Sequence, residues 1–329
     1  MAEHRKTDRR SFFKTAGAAA AGIALAEALA GSRALAGEDG GDFIRSVQRA
    51  RIFDLSHTWD ENSPIASVNP PYSMELNATH ASTRGTFDPD KQLSFTSEVQ
   101  HWSGQHGAPS IDAIGHIGHN GKLYGGVDAI ASTSDVRGIG RSGVGAHLDI
   151  AHYPADLLVN RGVLLDVARH VQGDSSPLPA DFKITDEHLA DTAKHQGVRL
   201  RKGDTVLIRT GWAKYFAESP ATYAGGTAAG VVLSGAKFLV KNGARVVGND
   251  TLTFEARPPL AFPPEVPLFQ VFPVHMYVIA DNGVNIIENF SLDGIAAAKE
   301  YEFLLVVPPL KIRGGTGSAL RSFALVGRD

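Results

Sequence analysis

The residues best suited to chemistry lie between His101 and Gly126, in the run HWSGQHGAPSIDAIGHIGHNGKLYGG, which gathers four of the chain's thirteen histidines around one aspartate. If the backbone from His106 to Asp112 is extended, side chains at alternate positions share a face, so His106, Ala108, Ser110 and Asp112 project together. His116 follows across Gly115. A neutral imidazole and a carboxylate converging from one face can hold Zn²⁺ or Mn²⁺ without sulfur. Such an ion lowers the pKa of a bound water toward neutrality and so supplies hydroxide. The competing reading is a set of polar side chains that cap loops and bind backbone. Ser110 opens a third, as a nucleophile with His106 as base and Asp112 as orienter. No G-x-S-x-G turn surrounds Ser110, which weighs against that reading.

The elements that must position these groups are legible in part. Ser94 to His101 alternates apolar and polar residues and runs into glycines, which places the cluster where a strand becomes a loop. Arg51 to Ser56 reads as a strand, and Gly162 to Ala168, Asp204 to Thr210, Ala244 to Asp250 and His275 to Asp281 read as buried strands. Helical patterns occupy Thr185 to Lys194 and Ser234 to Lys241, and YEFLLVV and RSFALV form strands near the C-terminus. The order predicts a mixed α/β domain without internal repeats. A doubly wound nucleotide-binding fold is disfavoured, because no G-x-G-x-x-G follows the first strand. RGGTGS, Arg313 to Ser318, lacks the lysine of a phosphate loop and reads as a tight turn bordering a pocket.

Residues 1–36 read as a twin-arginine export signal: Arg9 and Arg10 precede Phe12 and Phe13, a weakly apolar stretch runs from Ala16 to Leu29, and Ala34-Leu35-Ala36 offers a cleavage site. The apolar stretch carries Glu27 and falls short of the roughly 20 residues of a membrane span. The expected organisation is therefore signal (1–36), polar tether (37–50) and one folded domain (51–329), in a periplasmic or extracellular protein whose partner is the twin-arginine export machinery. Beyond residue 36 the charge balance is 26 basic side chains to 32 acidic, which excludes a nucleic-acid partner. The chain has no cysteine, so disulfides, thiolate zinc sites, iron–sulfur clusters and a thiol nucleophile are excluded, and a metal must be held by imidazole and carboxylate.

From His106 to His116 the chain reads H-G-A-P-S-I-D-A-I-G-H. This resembles the signature H-x-G-T-H-x-D-x-P-x-H of the cyclase family of metal-dependent hydrolases, which includes bacterial kynurenine formamidase and isatin hydrolase. DLSH (Asp54 to His57), GVLLDV, GDTVLIRTGW, GNDT (Gly248 to Thr251), VHMYVIADNGVNIIENFSLD and YEFLLVVPPLKIRGGTGSALR match in the same order. The resemblance implies a mixed sheet core of the swivelling β/β/α cyclase-like type in a single α/β domain. It also implies one divalent metal ion, Mn or Zn, and a homo-oligomer. Carried over position by position, it makes His106 and Asp112 metal ligands, His116 the acid/base, and His275 with Glu288 the downstream ligand pair.

The implied activity is hydrolysis of a C–N bond in a small amide, arylformamide or lactam, with cyclic esters as chemical neighbours. The departures are Ala108, Pro109, Ile114 and above all Ser110, which stands where the family has its second histidine and is a much weaker ligand than imidazole. That loss carries the rival reading, an exported, non-catalytic small-molecule-binding protein on the same fold. Gln105, His101, His119 and Trp102 flank the signature and are candidate site-lining residues, although His101 and His119 read more simply as surface or supporting groups. Phe254, Phe262 and Phe272 suit either a flat substrate or core packing. His275, at the head of an apolar run, has the alternative of a satisfied core histidine.

Overall fold

Unbroken apolar runs build the middle of one nine-stranded mixed sheet. The computed structural model describes residues 40–105 and 107–327. The chain runs through α1 (Gly40–Arg49), β1 (Arg51–Asp54), a hairpin of β2 (Ser73–Ala78) and β3 (Ser97–His101), and the short β4 (Ser110–Asp112). Its middle supplies β5 (Val159–Leu165), α2 (Val167–Gln172), α3 (Asp186–Gln196), β6 (Thr205–Ile208), α4 (Leu233–Lys241) and β7 (Val246–Asn249). The last part supplies α5 (Pro273–His275), β8 (Asn285–Glu288), α6 (Asp293–Ala297), β9 (Glu302–Val306), β10 (Gly317–Ala319) and β11 (Phe323–Val326).

The strand order is β1-β11-β9-β5-β6-β7-β8-β4-β10. Four parallel strands, β5 to β8, form the centre, and antiparallel strands extend the sheet on both sides. Parallel strands of this kind are covered on both faces, which is why their sequences read as continuous apolar runs. Alternate residues serve opposite layers. Val163, Leu165, Val206, Ile208, Val247 and Ile286 join Leu189 and Ala193 of α3 and Ala236 and Leu239 of α4. Leu164, Leu207, Val246 and Ile287 join Ile295 of α6 and the inner residues of β9 and β11. The mixed α/β, single-domain expectation holds, and the expected helices at 185–194 and 234–241 correspond to α3 and α4.

One expected strand is wrong. His275 to Asp281 is helical: α5 passes into a π-helical turn over Met276–Asp281. Pro273 stands at the first helical position, where its fixed φ favours a helix and its missing N–H costs nothing. The apolar run is buried in a helix because its surroundings are apolar, and a seven-residue run does not distinguish the two states by periodicity. The strand lies just beyond, as β8. The segment read as a polar tether contains the exposed helix α1, in which Arg45 pairs with Asp42. The export signal expected at 1–36 lies outside the described residues. Among the described residues, no helix is long and apolar enough to cross a membrane.

Candidate metal centre

β4 is seated between β8 and β10, with Glu288 and Ala319 opposite Ser110 and Gly317 opposite Asp112. Ile111 points into the core, so the pleat turns Ser110 and Asp112 to the other face. The extended geometry read from the sequence thus holds over 110–112 only; His106 lies outside the described residues. Two asparagines of β8 and its end fix this segment: Asn285 Nδ2 donates to the Asp112 carbonyl (2.7 Å) and Asn289 Nδ2 to the Gly107 carbonyl (3.0 Å). Asn289 adopts a left-handed φ of 62° and accepts from the Tyr223 hydroxyl (3.0 Å), so its side chain is committed on both sides.

After Asp112 the chain turns, with the His116 N–H donating to the Ala113 carbonyl. Gly115 is required there, since a Cβ would lie 2.0 Å from Ile139 Cδ1 and 3.0 Å from the Leu148 carbonyl oxygen. The turn returns His116 toward the strand, with Nε2 3.8 Å from Asp112 Oδ1.

His275 arrives from the opposite side. The π-helical turn and β8 run back to back, so a residue 13 positions earlier meets Glu288, with Nε2 3.2 Å from Oε1. Asp112 Oδ2 lies 3.9 Å from the same nitrogen. One ligand atom from each of Asp112, His275 and Glu288 lies within 4.8 Å of the others. Glu288 Oε1 also accepts the Phe254 N–H (3.0 Å). On the far edge of the ring, His275 Nδ1 is 2.6 Å from Glu255 Oε1, which accepts the proton that nitrogen carries.

The electrostatics follow from burying three carboxylates around one imidazole. Burial pushes the Asp112 carboxyl up to about 7, against the attraction of His275. Burial likewise raises Glu288, opposed by its hydrogen bond from His275. Burial alone would discharge His275, but its bonds to Glu255 and Glu288 override that and raise its pKa well above the ordinary imidazole value. His116 goes the other way, to about 4, through burial and then the positive charge of His275, so its imidazole is neutral near pH 7. Two carboxylates and an imidazole whose far nitrogen is held by a third carboxylate make a donor set that fits a divalent ion.

A cavity of about 190 Å³ opens on this cluster. Asp112, His116, His275, Glu288 and Gln105 face it, and Ile65, Val68, Ile117, Leu252 and Phe272 form apolar walls. Of the flanking candidates, Gln105 alone lines it, while its Nε2 donates to Thr316 Oγ1 (3.1 Å). His101 and Trp102 border a separate open groove beside the 314–318 turn, so that turn borders a groove and not this cavity. His119 pairs with Asp281 (2.8 Å) at the surface. Ser110 is buried and is not among the residues lining the cavity. Phe254 is in the core and Phe262 is exposed, leaving Phe272 as the site aromatic, with its ring edge-on to His275 (5.4 Å). Glu255 was not singled out from the sequence; a lone acid inside FEARPP was the available signal.

The fold and site define a mixed α/β protein with a buried imidazole–carboxylate centre at one side of its sheet. The Cyclase family model, described as "Putative cyclase", matches residues 53–256, and the chain belongs to this family. A solved structure described as a novel cyclase is 24% identical, with a TM-score of 0.69 over 86% of this chain and 91% of that one. Isatin hydrolase A from Labrenzia aggregata, bound to benzyl benzoate, is 22% identical (TM-score 0.64; 88% of this chain, 100% of that one). Isatin hydrolase A from Ralstonia solanacearum is 18% identical (TM-score 0.66; 90% and 100%). These likenesses establish the cyclase-like fold expected from the signature. No curated protein matches the chain.

Proposed function

We propose that the protein is a metal-dependent hydrolase that opens a C–N bond in a small amide, arylformamide or lactam. The observation that carries this reading is the convergence of Asp112, His275 and Glu288 within 4.8 Å, beside a neutral His116. Those three residues, joined by His106, would hold one Zn²⁺ or Mn²⁺. Such an ion supplies Lewis acidity toward a carbonyl oxygen and makes water a nucleophile near neutral pH. His116, neutral at that pH, takes the proton of the attacking water and returns it to the leaving nitrogen. Phe272, Ile117 and Leu252 offer apolar walls to a flat substrate and exclude bulk water. Among the described residues lining the cavity there is no lysine or arginine, which favours a neutral amide over an anionic one. The names of the isatin hydrolases above support a cyclic aryl amide within this class.

The twin-arginine pattern read at 1–36 carries the proposal of export to the periplasm or beyond. A homo-oligomer is proposed on the resemblance to the family. Elemental analysis of the purified protein beside Asp112→Ala tests the reading. About one tightly held Zn or Mn per chain, lost in the variant, is expected. No metal in either would overturn it in favour of a non-catalytic binding protein.

A further inference from the structure

The ring of His275 has two edges, and the carboxylates they meet line different cavities. Nε2 faces Asp112 and Glu288 in the cavity just described. Nδ1 is bonded to Glu255, and Glu255 lines a second cavity of about 340 Å³ behind it, with Pro273, Val274, Val231, Leu233 and Leu260. Glu255 is itself only 2% exposed, and its carboxylate is fully engaged with the first turn of α5. Oε1 takes the His275 backbone N–H (3.0 Å) as well as the ring, and Oε2 takes the Val274 N–H (3.3 Å). One side chain thus holds both the backbone and the ring of the same histidine, and a rotation of the ring would break the 2.6 Å bond.

We infer that Glu255 is a positioning residue that locks His275 with Nε2 aimed at Asp112 and Glu288, and that its carboxylate can be replaced from the rear cavity by a small free carboxylate. The inference rests on the metal-binding reading above. A carboxylate on the remote nitrogen of a ligating histidine fixes the tautomer and makes the other nitrogen a better donor. Glu255 lines the rear cavity, so Glu255→Ala would open the place of its carboxylate to that cavity, where a small free carboxylate such as formate could enter.

The test measures Zn²⁺ and Mn²⁺ dissociation constants by chelator competition for wild type, Glu255→Gln and Glu255→Ala. Each is measured in sodium formate and in sodium chloride of equal ionic strength, with thermal melts alongside. The expected result is a loss of affinity of roughly 10–100-fold in Glu255→Ala, partly restored by formate. Glu255→Gln keeps an acceptor for the ring but sets its NH₂ against the Val274 N–H. It should melt below wild type but above Glu255→Ala, and bind metal less tightly, which keeps the test alive if the alanine variant does not fold. Unchanged affinity in both variants overturns the inference. So does a loss in Glu255→Ala that formate leaves untouched, since that marks a structural role only. If wild type itself binds neither ion, the metal-binding reading falls and takes this one with it.

Discussion

Ser110 on β4 stands directly opposite Glu288 on β8 in the antiparallel ladder. Directly opposed residues have Cβ atoms about 4.5–5.5 Å apart, so position 110 is adjacent to a candidate ligand even though Ser110 does not line the cavity. Ser110→His should therefore bind Zn²⁺ more tightly than wild type. Enlarging a buried side chain should also lower stability by about 1–3 kcal/mol. Metal titration with a thermal melt checks both, and affinity that does not rise would show that position 110 is turned away from the ion.

His116 is expected to act after metal binding and not in it. His116→Gln should retain metal at the wild-type level while hydrolysis falls by about 10²- to 10⁴-fold. Because burial, and then His275, lower its pKa to about 4, a break in the rate near neutral pH belongs to the metal-activated water and should persist in His116→Gln. A break there, abolished in His116→Gln, would contradict the electrostatics described for this residue.

The pH dependence of the metal-stripped protein has a definite sign at Asp112. Its folded pKa is about 7 against an ordinary value of 3.8, so the folded state binds the proton more tightly than the unfolded chain. That contribution to stability is complete below 3.8 and is lost as pH rises toward 7, by up to about 4 kcal/mol. Asp112→Asn should remove this slope, making the stripped variant more stable than stripped wild type at pH 8 and similar to it near pH 4. Denaturant titrations of both proteins with chelator present would show it, and parallel curves would refute it.

Gly115 permits the turn that carries His116. A Cβ there would meet Ile139 Cδ1 at 2.0 Å, so Gly115→Ala should cost about 1–3 kcal/mol and displace His116. Activity should fall while metal content is kept. Equal activity at equal metal content would mean that the turn adapts without moving the histidine.

Asn289 joins Tyr223 to the Gly107 carbonyl in a buried chain of hydrogen bonds. Asn289→Ala removes the donor to the Gly107 carbonyl, at a cost of about 1–3 kcal/mol, and frees the start of the signature segment, while the Tyr223 hydroxyl keeps the Asp250 carbonyl (3.2 Å). A melt within experimental error of wild type would count against this role.

The sequence carried the sheet's centre clearly, because Val163–Leu165, Val206–Ile208 and Val246–Val247 are buried on both faces and form unbroken apolar runs. It carried Asp112, His116, His275 and Glu288 through the signature and the downstream pair, and the structure brings these four together. It did not carry the state of His275 to Asp281, where an apolar run of seven suits a strand or a buried helix equally and a single proline decides. Nor did it carry Glu255, whose role depends on a contact 20 residues away in the chain and on burial that no local pattern encodes. His101 and Trp102 are near the signature in sequence but belong to β3 and the groove beside it, so proximity along the chain misassigned them.

The seat of β4 has a consequence for how the molecule comes into being. Its neighbours, β8 and β10, lie some 175 and more residues further along the chain, so the strand bearing Asp112 has no lasting place during synthesis until almost the whole polypeptide has emerged. Contacts of such long range form slowly. The corner that would receive the ion is therefore among the last parts to mature. A nascent chain stalled before residue 317 should carry a well-formed α3–α4 layer and still be unable to capture zinc or manganese.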